Sequence, residues 1–112
     1  MGGMIETPFT KQPWDQRTLR FDLSPDCAPL LADGYAYSTL SVLVFNSAGV
    51  DVSATLITGT PSRTANYVYV TITGGTDGLD YYGRIRVALT KATFDTQQIE
   101  VDFLIQVREK GK

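Results

Sequence analysis

Hydrophobic and polar residues along this 112-residue chain alternate with a period of two in run after run, and helical spacing is nearly absent. After a polar lead-in through Pro8 and Pro13, with a short first strand near Phe9, Leu19, Phe21 and Leu23 alternate with Arg20, Asp22 and Ser24. Ser24-Pro25-Asp26 stops that strand, and a loop or single helical turn is expected through Pro29 to Gly34. From Tyr37 to Phe45 the chain is apolar on both faces towards its end, with Leu40, Val42 and Val44 on one side and Leu43 and Phe45 on the other. Such a strand is expected to be central or covered on its outer face. Asn46 to Gly49 turns the chain into a further alternating set, Val50, Val52, Ala54 and Leu56, and the stretch from Gly59 to Arg63 breaks the pattern. Val68, Val70 and Ile72 then alternate with Tyr67, Tyr69 and Thr71.

Gly74-Gly75-Thr76-Asp77-Gly78 reads as a tight hairpin connection, because glycine supplies the positive φ that such turns demand. Beyond it Tyr81, Ile85, Val87 and Leu89 form an inward row, with Tyr82, Arg84 and Arg86 opposite. The last strand is the most regular, with Ile99, Val101, Phe103, Ile105 and Val107 set against Glu100, Asp102, Leu104 and Gln106. About seven short strands in roughly 100 residues are the signature of an antiparallel two-sheet sandwich, with a small barrel as the alternative. Two details favour the sandwich. Tyr81 can turn its ring into the core while its hydroxyl bonds backbone at a sheet corner, as in immunoglobulin-like domains. Arg84 and Arg86 share an outward face with Glu100 and Asp102, so the last two strands can pair these charges across a hairpin. The expected architecture is all-β: one immunoglobulin-like domain over residues 1–112, with a flexible lead-in over about 1–7 and a short tail over about 109–112.

Composition narrows the chemistry. An apolar fraction of 43% is enough for a core. The chain has no histidine and a single cysteine, Cys27. Histidine-based triads and dyads, histidine-ligated metals, internal disulfides and thiolate zinc cages are therefore excluded. The ten lysines and arginines are scattered and the net charge is −2, so nucleic acid is not expected as a partner. Neither a signal peptide nor a membrane span is legible. Asp33, Asp51, Asp77, Asp80 and Asp95 are scattered over turns, where aspartate is common for its local hydrogen bonding, so neither a glycosidase pair nor a calcium loop is expected. The glycine turn lacks the Lys-Ser/Thr and helix of a phosphate loop. No catalytic, metal or cofactor site is assigned. Cys27 reads as a small, partly buried residue, and Trp14 as a plug for the sandwich end more readily than a partner anchor.

Val70-Thr71-Ile72-Thr73-Gly74-Gly75-Thr76-Asp77-Gly78-Leu79-Asp80-Tyr81 resembles the strand–Gly-Gly-Thr-x-Gly–Tyr turn of small immunoglobulin-like fibre–tail adaptor proteins of phages and prophages. Lys11-Gln12-Pro13, the strand Leu19 to Ser24, and the closing Phe103-Leu104-Ile105-Gln106-Val107-Arg108-Glu109-Lys110 are similar to that family's opening and its final strand. Val42 departs from it, standing where relatives often carry tryptophan, as does the tyrosine-rich stretch Ala65 to Tyr69. The resemblance implies a non-catalytic structural protein that joins tail and fibre components. Its partners would be other tail or fibre proteins, with a homo-oligomer compatible, and its location the bacterial cytoplasm during assembly and then the virion tail. Two surfaces are candidates for the contacts: the outward Tyr67/Tyr69 stripe and a patch of Leu43, Phe45, Tyr82 and Leu104. Gly74, Gly75, Gly78 and Tyr81 serve the turn and corner. The competing readings are that the tyrosines merely stiffen the sheet, and that a loop over 90–98 or the Trp14 segment covers the patch. A different class, an immunoglobulin-like carbohydrate- or ligand-binding module, would use the tyrosines to stack on sugar rings.

Overall fold

The alternating runs fold into two stacked sheets in the computed structural model, which describes residues 9–109; the predicted lead-in over 1–7 and the end of the tail, 110–112, lie outside the described residues. The strands are β1 (Phe9–Lys11), β2 (Arg17–Asp22), β3 (Ala36–Asn46), β4 (Ile57–Thr64), β5 (Tyr67–Ile72), β6 (Asp80–Thr90) and β7 (Gln97–Val107), with helix α1 (Ser24–Ala32) and a helical turn α2 (Ser53–Leu56). One sheet has the order β1-β7-β6-β3 and the other β2-β5-β4. The sheets stay separate, which makes this an all-β sandwich and not a barrel. All pairs are antiparallel except β1, which runs parallel to β7.

The inward rows meet as expected. Val68, Val70 and Ile72 of β5 face Ile85, Val87 and Leu89 of β6 and the odd-numbered residues from Ile99 to Val107 of β7, all of them buried. At the centre, the Phe103 ring packs against Phe21 of the other sheet, centroids 4.5 Å apart and planes tilted by 36°. Beneath that ring, directly across the β6–β7 pair, lies Gly83. A Cβ there would sit 2.0 Å from the ring's Cζ, so the aromatic ring occupies the volume that a side chain would need.

The glycine turn and the corner tyrosine hold one end together. Gly74, Gly75 and Gly78 all have positive φ. Gly75 is constrained twice, since a Cβ would also meet Val107 at 2.7 Å. The Tyr81 ring is buried and its hydroxyl accepts the Thr76 N–H at 3.0 Å, which is the expected corner bond. Lys11 is buried as well, and its ammonium donates to the carbonyls of Gln12, Pro13 and Gly74, at 2.5 Å for Gly74. Burial pushes the Lys11 pKa down and Asp15 pulls it partly back. The first strand is thereby tied to the turn.

Five expectations are corrected. The turn from Gly74 to Gly78 is not a hairpin, because β5 and β6 belong to different sheets and it carries the chain between them. The segment after Asp22 is a nine-residue helix, not a loop or single turn. Pro25 suits its first turn, Asp22 accepts the Ser24 N–H at 2.9 Å, and burial of Cys27 with packing of Leu30 and Leu31 holds it despite Pro29 inside. Val50 to Leu56 is not a strand. The Asp51 carboxylate accepts the Ser53 N–H and hydroxyl, at 2.9 and 2.6 Å, which starts a helical turn. Val52 and Leu56, four residues apart, then turn inward together, while Val50 and Ala54 stay exposed. Gly59 to Arg63 lies within β4, whose register skips between Thr58 and Ser62. Finally, β3 is an edge strand and not a central one, and its outward Leu43 and Phe45 are partly exposed.

Two substitutions test this packing. Gly83→Ala forces Phe103 out of its position and is expected to lower stability by about 1–3 kcal/mol, read from the urea midpoint at unchanged slope. Tyr81→Phe removes one buried acceptor and is expected to cost about 0.5–1.5 kcal/mol in the same assay.

Candidate functional surface

The outward-facing residues of β3, β6 and β7 form successive cross-strand rows. Phe45, Tyr82 and Leu104 stand side by side in one row, and Leu43, Arg84 and Asp102 in the next. Ser41, Arg86 and Glu100 follow, then Thr39, Ala88 and Gln98. The four predicted patch residues are therefore brought together on one face. Tyr82 is 42% exposed, and Leu43, Phe45 and Leu104 are partly exposed. Neither predicted cover lies over them. Trp14 is 92% exposed and plugs nothing, sitting beside Pro13, Thr73 and Gly74 at the end of the molecule. The 91–96 connection leaves from the opposite end of β6, where Lys91 lies 4.6 Å from the Phe94 ring centroid.

Next to the apolar row the face is charged. Arg86 Nε donates to Glu100 at 2.8 Å and Arg84 Nε to Asp102 at 3.3 Å, with the second Glu100 oxygen 3.5 Å from Arg84 Nε. The Arg84 guanidinium also lies 5.4 Å from the Phe45 ring centroid, joining the ladder to the patch. Exposed pairs of this kind contribute about 0–1 kcal/mol each, so the ladder sets register and surface pattern more than stability. At the far end the small side chains of Thr39, Ser41 and Ala88 leave an open trough of about 570 Å³, bordered by Arg86, Gln98 and Glu100.

On the opposite sheet, Tyr67 and Tyr69 face outward between cross-strand neighbours, Asp22 and Thr64 for the first and Arg20 and Ser62 for the second. Both are half-buried. The Arg20 guanidinium sits 4.7 Å from the Tyr67 centroid, occupying the ring face on which a sugar would stack. Thr18 and Thr71 share a 2.9 Å hydroxyl bond in the next row.

Four of the five turn aspartates use their carboxylates locally. Asp77 accepts the Glu109 N–H at 2.8 Å, Asp80 pairs with Arg108 at 2.7 Å, and Asp51 accepts the Ser53 N–H at 2.9 Å. Asp33 lies 3.9 Å from Lys91, and the Asp95 backbone carbonyl accepts from Gln97. Among the described residues no three histidine, cysteine, aspartate or glutamate side chains gather as a metal site, and no helix is long and apolar enough to cross a membrane. The sequence marked Lys11 only as part of the Lys11-Gln12-Pro13 resemblance, because its tie to the Gly74 carbonyl depends on a contact 63 residues distant in the chain.

Cys27 is fully buried, where partial burial was expected, because α1 turns it into the core. Burial pushes its thiol pKa up, only partly offset by a hydrogen bond with Tyr37. The native protein is therefore expected to react with a thiol reagent at neutral pH at least ~10-fold more slowly than the urea-unfolded chain, with both rates followed by absorbance. Comparison of the chain with protein-family models, with curated proteins and with solved structures finds no match in any of the three.

Proposed function

We propose that this protein is a non-catalytic, immunoglobulin-like structural component of a phage or prophage tail, joining tail and fibre or neighbouring tail proteins. The observation that carries the protein-binding part is the partly exposed row of Phe45, Tyr82 and Leu104 beside a charged ladder on one sheet face. An exposed apolar group rimmed by fixed charges has the composition of a protein interface: an aromatic and aliphatic centre supplies desolvation energy, and the rim selects the partner. The tail setting rests on the sequence resemblance around the Gly74–Tyr81 turn, the Lys11-Gln12-Pro13 opening and the closing strand. Assembly would proceed by complementarity of preformed surfaces, since β6 and β7 hold their side chains in register before any partner arrives.

The carbohydrate-binding alternative has less support, because Arg20 takes up the ring face of Tyr67 and both tyrosines are locked between cross-strand neighbours.

The test uses particles induced from a strain that encodes the protein, purified by density gradient and probed by immunogold labelling. The expected result is label on the tail. Phe45→Ser and Leu104→Ser are expected to reduce incorporation at least ~10-fold, as truncation of central interface residues does, with the thermal unfolding of the purified variants still cooperative. Particles that lack the protein, or equal incorporation of both folded variants, would overturn the proposal.

A further inference from the structure

We infer that the outer face of the four-stranded sheet pairs with the same face of a second copy of this chain, about a two-fold axis running nearly parallel to β6 and β7. The inference deepens the reading of this face as a protein-binding surface and rests on it. Its basis is the arrangement of charge. Arg84 and Arg86 form a cationic column on β6, while Glu100 and Asp102 form an anionic column on β7, each residue directly opposite its counterpart. A two-fold axis along the strand direction, placed between the columns, exchanges them without changing height. Arg84 of the second copy then lies over Asp102, Arg86 over Glu100, and Tyr82 over Leu104. A two-fold axis across the strands would instead lay β6 on β6, arginine against arginine. The columns thus select one of the two orientations and disfavour the other.

The groups are free to make these contacts. The side chains of Arg84, Arg86, Glu100 and Asp102 keep 37%, 51%, 43% and 35% of their exposure despite the pairing within the chain. Both arginines use Nε in the ladder, which leaves the Nη donors for a facing carboxylate. The overlap suits a weak dimer. With the axis between β6 and β7, these two eleven-residue strands of each copy lie over those of the other; at about 3.3 Å per residue and about 4.8 Å between strands they span roughly 350 Å² per copy. Two copies would bury about 700 Å², in the range of weak, transient contacts. The twist of each sheet would cross the two copies at about 30°.

Sedimentation velocity of the full chain over a range of concentrations tests this. At low salt the protein is expected to form a dimer whose dissociation constant rises at least ~10-fold in 1 M salt, where charges are screened beyond about 3 Å. Two variants then separate this interface from any other. Arg84→Glu with Arg86→Glu makes both columns acidic, and Glu100→Arg with Asp102→Arg makes both basic. Each variant alone is expected to be monomeric, and an equimolar mixture to form one-to-one dimers. A wild-type chain that stays monomeric at all concentrations, a dimer indifferent to salt, or two folded variants that do not combine would overturn the inference. The wild-type salt series decides the matter if a variant fails to fold. A monomeric chain that still enters tails would leave the tail reading standing, and a dimer excluded from tails would leave this one.

Discussion

The Phe103 ring, lying on the backbone of Gly83 and against Phe21, is the contact on which the rest of the sandwich depends. It links β7 to its neighbour β6 and both to β2 across the core, so it sets how closely the two sheets approach. A side chain at residue 83 would lift the ring and separate the layers; a smaller residue at 103 would leave a void between them. Core packing at near-crystalline density tolerates neither change cheaply. Everything outward-facing on β6 and β7 inherits its position from this inward register, because the period-two pleat makes the two faces of a strand inseparable.

The two ends of the sandwich are closed by different means. At one, α1 turns Cys27 into the core and packs Leu30 and Leu31 over it. At the other, a buried lysine, a corner tyrosine and three left-handed glycines fasten β1 and the crossing from β5 to β6. Burying the Lys11 ammonium is tolerable only because backbone carbonyls surround it. These closures draw on core and end residues and not on the outer faces of the sheets. They also leave Trp14 in solvent, at the end that the Gly74 turn already closes.

The two outer faces are used differently. That of β2, β5 and β4 is satisfied by its own contacts: Arg20 on Tyr67, Thr18 with Thr71, and tyrosines between polar neighbours. That of β3, β6 and β7 carries an apolar row that stays partly exposed, with Arg84 against Phe45, and opposite charges sorted onto separate strands. Sorted charge adds little to the stability of a single chain, yet it gives the face a direction that a partner, or a second copy, can match.

Much of this was legible in the sequence because alternation is a local signal. The strand positions from Leu19 to Leu23, Tyr67 to Ile72, Tyr81 to Leu89 and Ile99 to Val107 follow from which residues can share a face, as does the Tyr81 corner. The patch was legible for the same reason, since Phe45, Tyr82 and Leu104 have outward parity on strands that neighbour each other in a sandwich. The segment from Val50 to Leu56 was misread because apolar residues two apart are also, pair by pair, four apart, and only the Asp51–Ser53 bonds choose the helical turn. That Gly74 to Gly78 crosses between sheets, that β3 lies at an edge, that Lys11 reaches Gly74 and that Phe103 fills the space over Gly83 are decisions of tertiary structure. Each depends on which distant segments meet, and a period along the chain carries no information about that. The chain by itself determined a sandwich with no histidine chemistry; folding decided which distant strands became neighbours and so which side chains share an exposed face.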